Sequence, residues 1–267
     1  MSEAPATIVS LTTIPPRMPR IGPTLESLLQ QEAQIDGVIL WIPRAYRRPE
    51  FGSFTLPALP AGIEVRRCDF DYGPATKILP TCETFRGRDM RILYCDDDRI
   101  YDPGWATRLL AASDAHPGCC IAEVGEVVSL TLKKAFKSSR LYRGFAVATL
   151  GLYSSLYRRG MRALEVEAGC VDICKGYGGV LVRPEFFTTA AFDIPDLLWT
   201  VDDIWLSGQL ALAGIPIHKA SATELSHKTD LADVDALVDY VYADHRREQA
   251  NAACIRYFQE RHGIWRG

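Results

Sequence analysis

Asp96, Asp97 and Asp98 stand side by side in residues 91–105, RILYCDDDRIYDPGW. The apolar run 91–95 reads as a short strand that leads straight into them. Three neighbouring carboxylates repel one another, so their place at a strand end calls for a positive partner. A divalent metal holding an anionic substrate answers that need most economically. An acidic, solvated surface turn is the plain alternative. Asp102 reads differently: Asp-Pro ahead of an apolar helix is a helix start, with Asp102 as N-cap and Pro103 at the first helical position.

A second acidic cluster, the pair Asp202-Asp203, lies in residues 199–215, WTVDDIWLSGQLALAGI. That stretch is helical in pattern, with Thr200 as N-cap, Asp203 as the third helical residue of a capping box, and Gly214 as C-cap before Pro216. A carboxylate held at a helix N-terminus is also ionised and oriented, which suits a general base. Lys77, in DYGPATK, sits at a helix start and opposes the helix dipole, although a solvated lysine is its ordinary reading. His227, in ELSHK, taken alone reads as a surface residue. Gly176, Gly178 and Gly179 let the backbone pass close to a ligand or another strand, and a tight turn explains them equally well.

The elements that must carry these residues alternate. Residues 7–12 (TIVSLT), 38–42 (VILWI), 63–68 (IEVRRC) and 91–95 read as strands. Residues 24–31, with Thr24 as N-cap, and 105–115 read as helices, the second closed by His116-Pro117-Gly118. Residues 44–61, rich in Pro and Arg, read as loop, 119–123 as a further strand, and 180–182 as an apolar strand after the glycines. Alternating strands and helices over the first 120 residues predict a parallel α/β sheet, which binds ligands beyond the carboxyl ends of its strands. Residues 12–17, 69–77 and 96–98 all follow strands and are expected to converge on one sheet edge. There is no GxGxxG and no Walker A pattern, which argues against a dinucleotide or P-loop site.

The chain has 267 residues, of which 48% are hydrophobic and 24% charged, enough to bury a sizeable core. A net charge of −3 offers nothing to nucleic acid. The N-terminus shows no signal-peptide pattern, and the eight cysteines form no metal-binding spacing, so reduced thiols and a cytoplasmic location are expected. No run reaches the length of a membrane span. The nearest, 144–156, is short and flanked by arginines. It reads as a buried or lid helix, with an interfacial helix, and hence peripheral contact at the inner face of the membrane, as the alternative. Residues 127–168 are basic and aromatic, and residues 233–265 read as one or two amphipathic helices.

With these pieces in this order, the chain resembles the GT-A class of nucleotide-sugar glycosyltransferases, family-two-like, over residues 7–230. SLTTIPPR looks like the first nucleotide-binding loop, Asp96-Asp97-Asp98 like the DxD motif, and GYGGVLVRP like the glycine-rich acceptor-side strand. Val201-Asp202-Asp203 is similar to the Glu-Asp motif that holds the catalytic base, with Asp202 where Glu is usual. His227 resembles the late histidine of the metal shell. The resemblance implies an α/β, GT-A (Rossmann-like) single domain with a mostly parallel central sheet flanked by helices. Residues 1–120 would be its donor half, 121–230 its acceptor and catalytic half, and 231–267 a helical tail. It implies a metal-dependent glycosyltransferase moving a sugar from a nucleoside diphosphate sugar to a glycan or lipid-linked saccharide, with inversion. Mn²⁺ or Mg²⁺ would be held by Asp98, His227 and Asp96, with imidazole in the set leaning towards Mn²⁺. Thr12, Thr13, Arg17, Lys77, Asp96 and Asp97 would face the donor, Asp203 with Asp202 would supply the base, and Gly178, Gly179 and Trp199 would face the acceptor. A sugar-phosphate nucleotidyltransferase is the rival enzyme, but its glycine- and Arg/Lys-rich first loop is absent from TTIPPR. A non-catalytic nucleotide-sugar-binding protein is the other rival.

Overall fold

The β-branched run ATIVSLT forms β1 (Ala6–Thr12), the strand on which the first half of the chain is built. The computed structural model describes residues 5–52, 54–138, 169–220, 226–235 and 247–266. After β1 come α1 (Gly22–Leu29), β2 (Gly37–Pro43), β3 (Ile63–Cys68), α2 (Leu79–Thr84), β4 (Met90–Tyr94), β5 (Arg99–Ile100), α3 (Trp105–Ala115), β6 (Cys120–Ala122), β7 (Gly125–Glu126) and α4 (Val128–Ser138). The later elements are β8 (Gly169–Val171), β9 (Ile173–Cys174), β10 (Val180–Val182), α5 (Asp202–Leu212), β11 (Ile217–Lys219), β12 (His227–Lys228) and α6 (Arg247–His262).

Eight strands form one sheet in the order β3-β2-β1-β4-β10-β6-β11-β8. The first four are mutually parallel, as the sequence pattern predicts. β10 runs antiparallel between β4 and β6, β11 is parallel to β6, and β8 closes the far edge antiparallel to β11. Parallel strands must be covered on both faces, and successive side chains point to opposite faces. Ile8, Ile39, Ile92, Tyr94 and Val180 accordingly pack on one face with Leu79 of α2, Trp205 of α5 and Phe258 of α6. Val9, Leu11, Leu40, Leu93 and Leu181 pack on the other with Leu25 of α1 and Leu109 of α3. α6 lies close against α5: the Trp205 and Phe258 rings are 5.4 Å apart, and a Cβ on Gly208 would strike the Phe258 ring.

The helix starts differ from expectation, and at α1 and α3 the side chains assigned to caps are held by other partners. α1 begins at Gly22, and the Thr24 hydroxyl donates instead to the Asp97 carbonyl at 2.9 Å. α3 begins behind Gly104, with no side-chain cap. Asp102 accepts from the Gly104 amide at 3.0 Å and grips the Arg108 guanidinium with both oxygens at 2.7 and 2.6 Å. A bidentate ion pair is stronger than a neutral cap bond. α5 begins at Asp202 behind Val201, so no Thr200–Asp203 capping box forms.

Residues 139–168, which include the apolar run 144–156, lie outside the described residues, as do 236–246 of the expected C-terminal helices. Among the described residues no helix is long and apolar enough to cross a membrane. All eight cysteines are free thiols.

Candidate active site

Three strand ends of the parallel half open on one cavity of about 290 Å³. β1 runs on into Thr12, Thr13 and Arg17, the segment after β3 brings Asp71, Gly73 and Lys77, and β4 delivers Asp96, Asp97 and Asp98, all of which line it. This is the carboxyl-end crevice of an open α/β sheet. Asp202 and Asp203, at the start of α5, line it too, so the aspartate triplet and the acidic pair named from the sequence share a single cavity.

The three aspartates have unequal surroundings. Asp97 is buried; its carboxylate accepts from the Thr13 hydroxyl at 2.5 Å and from Arg17 Nη1 at 2.6 Å. Arg17 Nε also donates to the Val234 carbonyl at 2.8 Å. Asp97 and Arg17 therefore tie the first loop to the aspartate turn, and their charges largely satisfy each other. The Thr12 hydroxyl is similarly engaged, donating to the Trp41 carbonyl at 2.8 Å. Asp96 is held at its backbone by the Tyr101 hydroxyl and at Oδ1 by the Lys77 ammonium, 2.5 Å away. Asp98 is the least neutralised. Its nearest cations, Arg17 and Arg99, stand at 3.6 and 3.5 Å. Burial, with Asp96 and Asp97 beside it, pushes its carboxyl up to about 6.

Lys77 connects this turn to α5. Only 3% of its side chain is exposed, and its ammonium lies 2.5 Å from Asp96 and 2.7 Å from Asp202, itself 3% exposed. Although burial opposes its charge, Asp202 and Asp96 hold its pKa well above the ordinary lysine value. The backbone is fixed as well, since the Ser10 hydroxyl of β1 donates to the Lys77 carbonyl at 2.6 Å. The cation that looked out of place at a helix start belongs between buried Asp202 and partly exposed Asp96.

Asp203 points elsewhere. Its Oδ1 accepts from the Gly176 amide at 2.9 Å, and its Oδ2 is 4.0 Å from Lys175 Nζ. Lys175 is paired in turn with Glu126 at 2.8 Å. Burial and the neighbouring Asp202 raise the pKa of Asp203 above the usual carboxylate value. A Cβ on Gly176 would push aside the Lys77 ammonium and Asp96 Oδ1, so a glycine here leaves room for their pairing.

Gly178 and Gly179 are not on the cavity wall; of that turn Tyr177 is. They pack against Trp105, whose indole N–H donates to the Gly178 carbonyl at 2.9 Å. Gly179 adopts φ +91°, and a Cβ there would land on the Trp105 indole. Gly179→Ala is therefore expected to cost roughly 1–3 kcal/mol or more from backbone strain and overlap. Tyr101 packs tilted against Trp105 with ring centres 4.7 Å apart and anchors Asp96, so the aspartate turn should loosen as stability falls. A urea midpoint equal to wild type would refute this account. Trp199 does line the cavity, buried and with the Arg47 guanidinium 5.0 Å from its ring centre.

His227 is not on the cavity wall, whereas Lys228 is. Adjacent residues of a strand point to opposite faces. With Lys228 of β12 turned to the cavity, His227 faces away and is exposed. Among the described residues no group of three or more His, Cys, Asp and Glu is gathered closely enough to hold a metal. Tyr46, Arg99, Tyr177, Lys228 and Arg247 also line the cavity and were not expected there. Asp71 belongs to the 69–77 segment expected at this edge, and it accepts from the Gly73 amide at 2.8 Å. Arg99 and Arg247 carried no local signal.

No family model matches the chain, and no curated protein matches it in sequence. Solved structures do. Glucosyl-3-phosphoglycerate synthase from Mycobacterium tuberculosis superposes with a TM-score of 0.52 at 13% identity, covering 97% of this chain and 81% of that one. Residues 1–349 of S. aureus TarS give 0.48 at 14% identity (96% and 72% covered). The mannosyltransferase PcManGT from Pyrobaculum calidifontis gives 0.46 at 11% (81% and 55%). The latter two superpose too loosely to carry an argument. The first shows the fold: the single α/β domain of GT-A type, with its mostly parallel sheet, that the order of motifs implied.

Proposed function

We propose that this protein is a metal-dependent glycosyltransferase that moves a sugar from a nucleoside diphosphate sugar to a hydroxyl of a glycan or lipid-linked saccharide, with inversion. The observation that carries this reading is the shared cavity, in which the Asp96–Asp98 turn and the Asp202-Asp203 helix start meet across Lys77. The fold adds support, since the synthase that shares it was crystallised with Mn²⁺, UDP and glucosyl-3-phosphoglycerate.

The chemistry of the aspartate turn fits a divalent ion. Asp98 faces the cavity with no cation inside hydrogen-bonding distance, and burial together with the neighbouring negative charge disfavours its ionised form. An added cation would relieve that repulsion. Asp98, with the free oxygen of Asp96, would hold Mn²⁺ or Mg²⁺, and hard oxygen ligands from the donor would complete the shell. His227 stands outside this set. When bound, the ion would neutralise charge growing on the diphosphate leaving group.

The protein's own groups divide the remaining work. Asp203 would take the proton of the acceptor hydroxyl at Oδ2, while the Gly176 amide fixes Oδ1. Its raised pKa makes it a better proton acceptor than an ordinary aspartate. Asp202 would hold Lys77, and through it Asp96, rather than act on substrate. Asp97 and Arg17 would keep the first loop in place beside the donor.

Asp98→Asn tests the metal assignment. Release of free nucleotide from a panel of UDP-, GDP- and CMP-sugars with Mn²⁺ should fall by about 10²-fold or more. The melting temperature should hold or rise slightly, because one of three crowded charges is gone. Full turnover in this variant would sink the assignment.

A further inference from the structure

The ladder between β5 and β12 sets two cations face to face. Its register pairs Arg99 with Lys228 and Ile100 with His227. Directly opposed residues of an antiparallel pair point to the same face with Cβ atoms about 5 Å apart, and like charges so placed destabilise the pairing. Both side chains line the cavity. A ladder of two residues per strand has little else to offset the repulsion.

Arg99 is aimed but not satisfied. Its guanidinium lies 4.6 Å from the centre of the Tyr177 ring, Nη1 donates to the Ser226 carbonyl at 3.4 Å, and Nε stands 3.5 Å from Asp98 Oδ1. Nε is buried and makes no hydrogen bond. Lys228 has no ion pair among the described residues. Neither has Arg247, which opens α6 and lines the same cavity. The other cations on the wall are committed: Arg17 to Asp97, Lys77 to Asp96 and Asp202, and Arg48 to Glu50 and Asp235.

We propose that Arg99, Lys228 and Arg247 form an anion-binding wall that takes phosphate or diphosphate oxygens entering the cavity. A guanidinium fork gives two directed donors to such oxygens, and an ammonium adds a movable point charge. An anion between Arg99 and Lys228 turns their repulsion into two attractions, so the ladder is tightest with the cavity filled. The wall needs no metal. Two sources share this chemistry: the diphosphate of a nucleotide sugar, or a phosphate carried by the acceptor. Naming the source rests on the transferase reading; the wall does not.

Calorimetric titration with inorganic pyrophosphate in EDTA and low salt tests it. Wild type should bind, more weakly as salt rises. The double variant Arg99→Gln/Lys228→Gln should lose at least about tenfold in affinity, and Arg247→Gln should lose less. The melting temperature of the unliganded double variant should equal or exceed that of wild type, which shows that it folds and that the repulsion was real. Displacement of pyrophosphate by UDP or GDP assigns the wall to the donor. Binding of pyrophosphate to nucleotide-saturated protein assigns it to a phosphorylated acceptor. Equal pyrophosphate affinity in wild type and double variant, or no binding to wild type, overturns the proposal. If pyrophosphate binding is lost as expected while wild type consumes no nucleotide sugar, the wall stands and the transferase reading fails.

Discussion

Asp203→Asn should cut turnover by about 10²–10⁴-fold, the usual contribution of a general base, while nucleotide affinity stays within a few-fold of wild type. The substitution is nearly isosteric. An asparagine carbonyl can still accept from the Gly176 amide as Oδ1 does, so α5 and the glycine turn keep their join. What is lost is the proton acceptor at Oδ2, the oxygen turned towards Lys175. Initial rates of nucleotide release and a separate titration with the free nucleotide decide between catalysis and architecture. A variant that unfolds readily, yet keeps wild-type activity per folded molecule, would show that Asp203 only joins two segments.

The largest loss of stability is expected from Lys77→Met. Methionine fits the length of the lysine stem but leaves Asp202, buried at 3% exposure, and Asp96 without their shared counter-ion. Breaking a buried pair by removing one partner typically costs about 3–5 kcal/mol. The lower figure applies here, because Asp96 retains some contact with solvent at 34% exposure. For a chain of this size that is a drop of about 6–12 °C in melting temperature. Adding Asp202→Asn to the same variant should restore most of it, since the stranded charge is then gone; calorimetry on the four members of the cycle reads the coupling. A Lys77→Met protein that melts with wild type would mean that the two ion pairs carry no weight.

The two charged clusters were legible because each sits where the local pattern calls for something else. Aspartates at the end of an apolar strand, and an acidic pair at the head of an apolar helix, both break the surrounding hydrophobic rhythm. Lys77 was visible only as a misplaced cation, because its partners at 96 and 202 are brought to it by the sheet and leave no trace nearby in the chain. The caps were misjudged for the complementary reason. Thr24 and Asp102 have the right types for local bonds, but Asp97 and Arg108 outbid the helix ends. His227 and Lys228 differ by one position, and in a strand one position decides the face. Strands β1 to β4 and α3 were readable from apolar runs and punctuation. The place of β10 was not, because three apolar residues say nothing about which strand they will pair with.

That placement has a consequence for how the chain is made. β10 pairs with β4 and β6, neighbours that leave the ribosome much earlier. Until residue 182 emerges, β4 ends a four-stranded parallel sheet with its backbone donors and acceptors bare. During synthesis the strand that carries the aspartates is thus an open template for another nascent chain, and a protective chaperone contact would matter most in that interval. The same insertion brings Gly176 up to Asp203, so the cavity is assembled only when the sheet closes.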